Sequence, residues 1–161
     1  MAQSPYHRSD GMSTLYPDHI PEPTSVVQTA LRLLLGAALL FAGTSHLTWS
    51  RAEFQVQVPR WLPLPADLVV VASGLVELAL GGALVALSRY RTIVGWIVAG
   101  FFVAIFPGNI SQYANRIDGF GLDSDWARAI RLLFQPVLVA WALGSTGAWQ
   151  AWRQRRRISH G

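Results

Sequence analysis

The sequence contains no cysteine, so disulfides, thiol redox chemistry and thiolate metal sites are all excluded. Lysine is missing as well, since every one of the 13 basic residues is arginine. That bias, together with the heavy use of Ala, Val, Leu and Gly, fits a GC-rich bacterial genome. Charge of either sign is scarce. Charged residues make up 14% of the chain, against about 25% in ordinary soluble domains, too few to solvate a globular surface. The only methionines are Met1 and Met12, and His46 is the single histidine within an apolar stretch. Paired axial ligands for a haem are therefore lacking, and neither a covalent cofactor nor a metal centre is expected.

What the sequence does have is apolar length. Hydrophobic residues make up 52% of the 161, and they are clustered. A bilayer core of about 30 Å needs roughly 20 apolar residues in helical form. Four stretches qualify: about Val26 to Leu47, Ala66 to Leu87, Thr92 to Ser111, and Trp126 to Thr146. A backbone in lipid must satisfy its own hydrogen bonds, so these stretches are helices. The expected fold is all-α, an integral membrane four-helix bundle in a single domain over residues 26–148. It is flanked by a tail at 1–25 and a basic tail at 149–161. The first tail carries Pro5, Pro17, Pro21 and Pro23 with Asp10, Asp18 and Glu22; it has little to bury and is expected to be disordered. The first span exceeds the roughly 7–15 residues of a secretory h-region and follows no basic n-region, so it reads as a retained helix.

Arginine placement gives a direction. Arg8, Arg89, Arg91, Arg153, Arg155, Arg156 and Arg157 fall on the side of the termini, with Arg32 able to snorkel there. Arg51, Arg60, Arg116, Arg128 and Arg131 fall on the other side, diluted by Glu53, Asp67, Asp118, Asp123 and Asp125. The positive-inside rule then makes both termini cytoplasmic in a multi-pass protein of the cell membrane. Trp49, Trp61 and Trp126 mark the outer interface; Trp96, Trp149 and Trp152 mark the inner one. The net charge of +4 has its densest run beside a membrane helix, so it points to anionic lipid heads and not to nucleic acid. The short Ser88–Arg91 connection makes the second and third spans antiparallel neighbours. Asp118 to Asp125 lacks the spacing of an EF-hand, and Ser124 or Asp125 reads as the N-cap of the fourth span. Asn109-Ile110-Ser111 is a formal sequon at a helix end and is expected to stay unused.

A few residues are too polar for their surroundings. Glu77 lies about 15 Å into the second span at 1.5 Å per residue, where a carboxylate must be protonated, paired or facing water. Ser73, Gly74, Glu77 and Gly81 form a small-residue seam around it. His46 closes the first span. Phe102, Phe106, Asn109 and Tyr113 share a stripe on the third, loosened by Pro107. Arg128, Arg131 and Gln135 share one on the fourth, ahead of Pro136. Helix directions bring His46, Glu77, Asn109, Arg131 and Gln135 into the same outer half, as one site or one network. Arg131 is the better candidate partner for Glu77, and Phe102, Phe106 and Tyr113 are candidate aromatic lining. Packing alone could also employ them: Glu77 as a protonated interhelical bond, His46 as an interfacial anchor, and Asn109 and Gln135 as glue worth about 0.6 kcal/mol each.

These residues carry a resemblance. Gly43 to His46, Glu53-Phe54, Pro63, Ser73-Gly74, Glu77, Phe106-Pro107-Gly108-Asn109-Ile110, Arg131 and Gln135 occur in an order and placement similar to the DoxX family of small bacterial membrane proteins. The likeness runs from about Leu31 to Trp149, with Gly108 standing where alanine is expected. It implies a four-helix membrane fold. Some DoxX relatives are membrane partners of oxidative-stress enzymes and others are subunits of thiosulfate:quinone oxidoreductases; no residue here acquires a catalytic role by that route.

Three functions compete. The first is a redox-associated membrane subunit binding a quinone or other small lipophilic molecule, with His46 or Arg131 donating to its carbonyls and Glu77 carrying a proton. The second is a non-enzymatic scaffold or assembly partner. The third is a small proton-linked transporter, for which the inner half lacks a continuing polar path. The partners implied are membrane lipids, a membrane or redox-enzyme protein, and a second copy of the chain.

Overall fold

The computed structural model describes residues 23–117 and 124–159. Among these the chain is helix and turn: α1 (Val26–Leu47), α2 (Arg51–Val56), α3 (Ala66–Ala86), a 3-10 turn at Ser88–Tyr90, α4 (Arg91–Ala114), α5 (Asp125–Ser145) and α6 (Ala148–Ile158). Four of them, α1, α3, α4 and α5, are long and apolar enough to cross a membrane. The fold is an all-α four-helix bundle. The expected disordered tail lies, up to residue 22, outside the described residues, as does most of the acidic loop at 118–123. The basic stretch after residue 148, read from sequence as a tail, is instead a helix through Ile158.

Local chemistry sets the helix ends. Ser25 and Gln28 form a reciprocal capping box that starts α1, with Gln28 N donating to Ser25 Oγ and Ser25 N to Gln28 Oε1. Ser124 caps α5 by accepting from the Ala127 amide at 3.2 Å. Gly147, at φ +73°, takes the left-handed conformation that breaks α6 away from α5.

Two close pairs, α1 with α3 and α4 with α5, make up the bundle, while α3 and α4 touch less extensively despite their short connection. The α1–α3 contact explains the small-residue seam. Gly36 meets Gly81 and Gly43 meets Gly74, in antiparallel register with the same seven-residue spacing on each helix. A Cβ at Gly43 would lie 2.7 Å from the Gly74 carbonyl oxygen, and one at Gly81 would lie 2.8 Å from that of Gly36. Apolar side chains gain nothing by leaving lipid for one another, so close backbone approach is what holds two such helices together.

Polar bonds tie the helices together at the end where α1 begins and α5 stops. Gln28 Nε2 donates to the Gly144 carbonyl at 3.1 Å, Trp141 Nε1 donates to the Leu31 carbonyl at 3.0 Å, and Arg32 donates to the Leu84 carbonyl. That last bond places a cation among the terminal carbonyls of α3, the favourable end of its dipole. Between the pairs Leu35, Leu39, Leu84, Val98, Phe102 and Ala142 form the buried core. Large apolar side chains also cover the outside, such as Phe41 and Leu133 at 66% and 68% exposure. In water so continuous an apolar surface would be unfavourable; in lipid it is the solvated face.

Candidate ligand cavity in the α2 half

At the α2 end the two pairs stand apart, and a cavity of about 480 Å³ lies between them, within the range of small-molecule sites. All five polar residues singled out from the sequence line it: His46 from α1, Glu77 from α3, Asn109 from α4, and Arg131 and Gln135 from α5. Helix direction achieves this convergence. α1 and α4 end at this side whereas α3 and α5 begin there, so residues late in one pair of helices meet residues early in the other.

His46 and Glu77 are both buried, with His46 Nδ1 3.3 Å from Glu77 Oε2. The approach is not aligned as a hydrogen bond, and Glu77 Oε2 is left buried without one. Ser73 Oγ, which donates to the Val70 carbonyl at 2.9 Å, also stands 3.3 Å from His46 Nδ1. A single imidazole nitrogen, Nδ1, thus stands 3.3 Å from two oxygens on α3. The ring also meets Phe54 in a T-shaped arrangement, with centroids 3.5 Å apart.

The α4–α5 wall has its own relay. Asn109 Nδ2 donates to Gln135 Oε1 at 2.8 Å, and Gln135 Nε2 donates to the Phe102 carbonyl at 2.6 Å. Pro107 lacks the N–H that would bond the Val103 carbonyl, which loosens the ladder in this turn. Gln135 satisfies the carbonyl next to it.

Arg131 was expected to pair with Glu77. The contacts shown are different: Arg131 Nη2 donates to Gln57 Oε1 at 2.6 Å, and His46 is the ionisable group shown at the Glu77 carboxylate. Gln57 comes from the segment after α1, which folds back over the cavity and brings Phe54, Gln57, Pro59, Trp61 and Leu62 into its wall, whereas His46 reaches Glu77 from α1 itself. A two-pronged bond from Arg51 to Asp67, at 2.7 and 2.6 Å, ties α2 to the start of α3, and it raises the Arg51 guanidinium pKa above its ordinary value.

The aromatic stripe needs a similar correction. Of Phe102, Phe106 and Tyr113, only Phe102 lines the cavity; the other aromatics there are Phe54, Trp61 and Phe134. The cavity takes one edge of the stripe, Phe102 and Asn109, and continues around the helix toward Ile105 and Gly108. At about 100° per residue, Phe106 is turned away from that side, and Tyr113 is exposed. Arg128 is buried but is not among the lining residues; it stands 3.4 Å from Asp125 on its own helix. Gln57 carried no signal in the sequence, whereas Phe54 stood in the Glu53-Phe54 pair singled out there. Among the described residues no group of three or more His, Cys, Asp or Glu could hold a metal ion.

The fold and this cavity define a multi-pass membrane protein with a mostly apolar pocket and a buried carboxyl–imidazole pair in its wall. Within that class, the chain belongs to the family described as Domain of unknown function (DUF8561), whose model matches residues 35–146. The match takes in every helix-borne polar residue of the cavity and leaves out α6. No curated protein and no solved structure matches the chain.

Proposed function

We propose that this chain is a DoxX-like, redox-associated subunit of a bacterial cell membrane that binds a quinone or similar lipophilic carbonyl compound in the α2 half of its bundle. One observation carries the reading: Glu77, a buried carboxyl whose Oε2 has no hydrogen bond, is among the residues lining a cavity large enough for a small ring. Burying an unfulfilled polar group costs free energy unless something meets it, and a ligand hydroxyl reaching the Glu77 carboxyl would do so. A protonated Glu77 would equally donate to a ligand carbonyl. Asn109, Gln135 and Arg131 supply further polar contacts on the facing wall, while Phe102, Leu35, Leu39 and Leu138 provide an apolar run toward the middle of the bundle. Both termini face the cytoplasm in this reading, so the cavity lies in the outer leaflet half.

The test is purification in mild detergent followed by mass spectrometry of extracted quinones. Wild type should retain quinone above a control membrane protein, and Ala42→Phe, which places a ring in the cavity and replaces none of its polar side chains, should lose it. Equal amounts in both proteins would refute the reading. Recovery of a stoichiometric protein partner without quinone would favour a scaffold instead, a role to which the internally satisfied Asn109–Gln135–Phe102 relay is suited.

A further inference from the structure

The two ends of the bundle treat their arginines differently. At the α2 end Arg51 pairs with Asp67, and Arg116 and Arg128 approach Asp125 at 3.9 and 3.4 Å. At the opposite end α6 carries Arg153, Arg155, Arg156 and Arg157, all exposed, and Arg89 lies at the same end. Among the described residues of that end, 23–35, 80–98 and 138–159, there is no aspartate or glutamate. The exposed arginines of α6 therefore face no carboxylate among the described residues of that end.

The geometry of α6 narrows what its arginines meet. Gly147 turns the helix away from α5, and Ala148 is buried against the bundle. Trp149 and Trp152 then stack with centroids 4.9 Å apart, and the Arg156 guanidinium carbon lies 4.3 Å from the Trp152 ring centroid. Indole rings are favoured at headgroup depth. A guanidinium over a ring uses its face for the cation–π contact and keeps its edge N–H groups for a phosphate. Apolar rings beside an arginine-rich face are the pattern of a helix that lies in the membrane surface.

We propose that α6 is a headgroup-binding helix that lies in the membrane plane and holds the phosphates of anionic phospholipids. The ligand is a lipid and not a free anion, because the tryptophan pair sets the arginines at the depth of the headgroups. This site is independent of the cavity at the other end.

The experiment uses the full chain in detergent micelles and measures, by native mass spectrometry, retention of phosphatidylglycerol against phosphatidylcholine of matched chains. Wild type should prefer phosphatidylglycerol by about tenfold, given the attraction of each arginine near the surface, and salt should weaken the preference. The combined variant Arg153→Gln, Arg155→Gln, Arg156→Gln and Arg157→Gln should lose it. The same four positions changed to Lys should keep most of it, as should Arg51→Gln with Arg60→Gln at the other end. An unchanged preference in the four-Gln variant would overturn the proposal. So would displacement of the lipid by millimolar inorganic phosphate, which would mark a site for small anions. A preference that emerges only when Asp10, Asp18 and Glu22 are neutralised would make those acids the occupant, and would overturn it too.

Discussion

Gly81 and Gly82 are adjacent on α3, yet alanine should act on them in opposite directions. A Cβ at Gly81 would lie 2.8 Å from the Gly36 carbonyl oxygen and 2.9 Å from the Leu40 amide nitrogen, whereas one at Gly82 would meet nothing within 4 Å. Both substitutions gain the helix preference of alanine over glycine, about 1 kcal/mol in an exposed helix interior. At Gly82 that gain stands alone, and the variant should be more stable than wild type. At Gly81 the new methyl presses on backbone, which cannot rotate away as a side-chain tip can, so α1 and α3 must separate along the seam that holds them. Overpacking of this kind costs about 1–3 kcal/mol, which offsets or exceeds the helix term. The net expectation is a loss of up to about 2 kcal/mol for Gly81→Ala, or several degrees in melting temperature at about 2–4 °C per kcal/mol. Thermal unfolding of the purified protein in one detergent, followed by circular dichroism, measures both. Destabilisation of equal size at the two positions, or stabilisation at both, would refute the close helix contact.

The His46–Glu77 pair should behave as one unit. His46→Gln and Glu77→Gln, alone and together, should give a coupling of about 0.5–3 kcal/mol in a double-mutant cycle on detergent stability, and strict additivity would separate the two residues. Topology is open to a direct check, since a reporter active only outside the cell membrane should be silent when fused after Gly161. Strong activity there would invert the proposed orientation and place the cavity in the inner leaflet half.

Membrane class, the number of spans and the approximate bounds of α1, α3, α4 and α5 were all legible in the sequence. The reason is that lipid imposes one-dimensional rules: a span needs a length of apolar residues and must satisfy its backbone within itself. The convergence of His46, Glu77, Asn109, Arg131 and Gln135 could also be read, because alternating helix direction converts position along the chain into depth. Partnership was another matter. Nothing along the chain says that the segment after α1 folds back over the bundle, so the placement of Gln57 at Arg131 and Phe54 at His46 came only with the tertiary structure. Rotation about the helix axis was equally hidden. Phe102, Phe106 and Tyr113 do share a stripe, but which side of α4 faces the cavity depends on how the α4–α5 pair docks on α1–α3. The glycines show the division most clearly. Their spacing on α3 announced a seam, but only the three-dimensional register matched Gly81 to Gly36 and Gly74 to Gly43, because contact between helices distant in sequence is fixed by shape and not by periodicity.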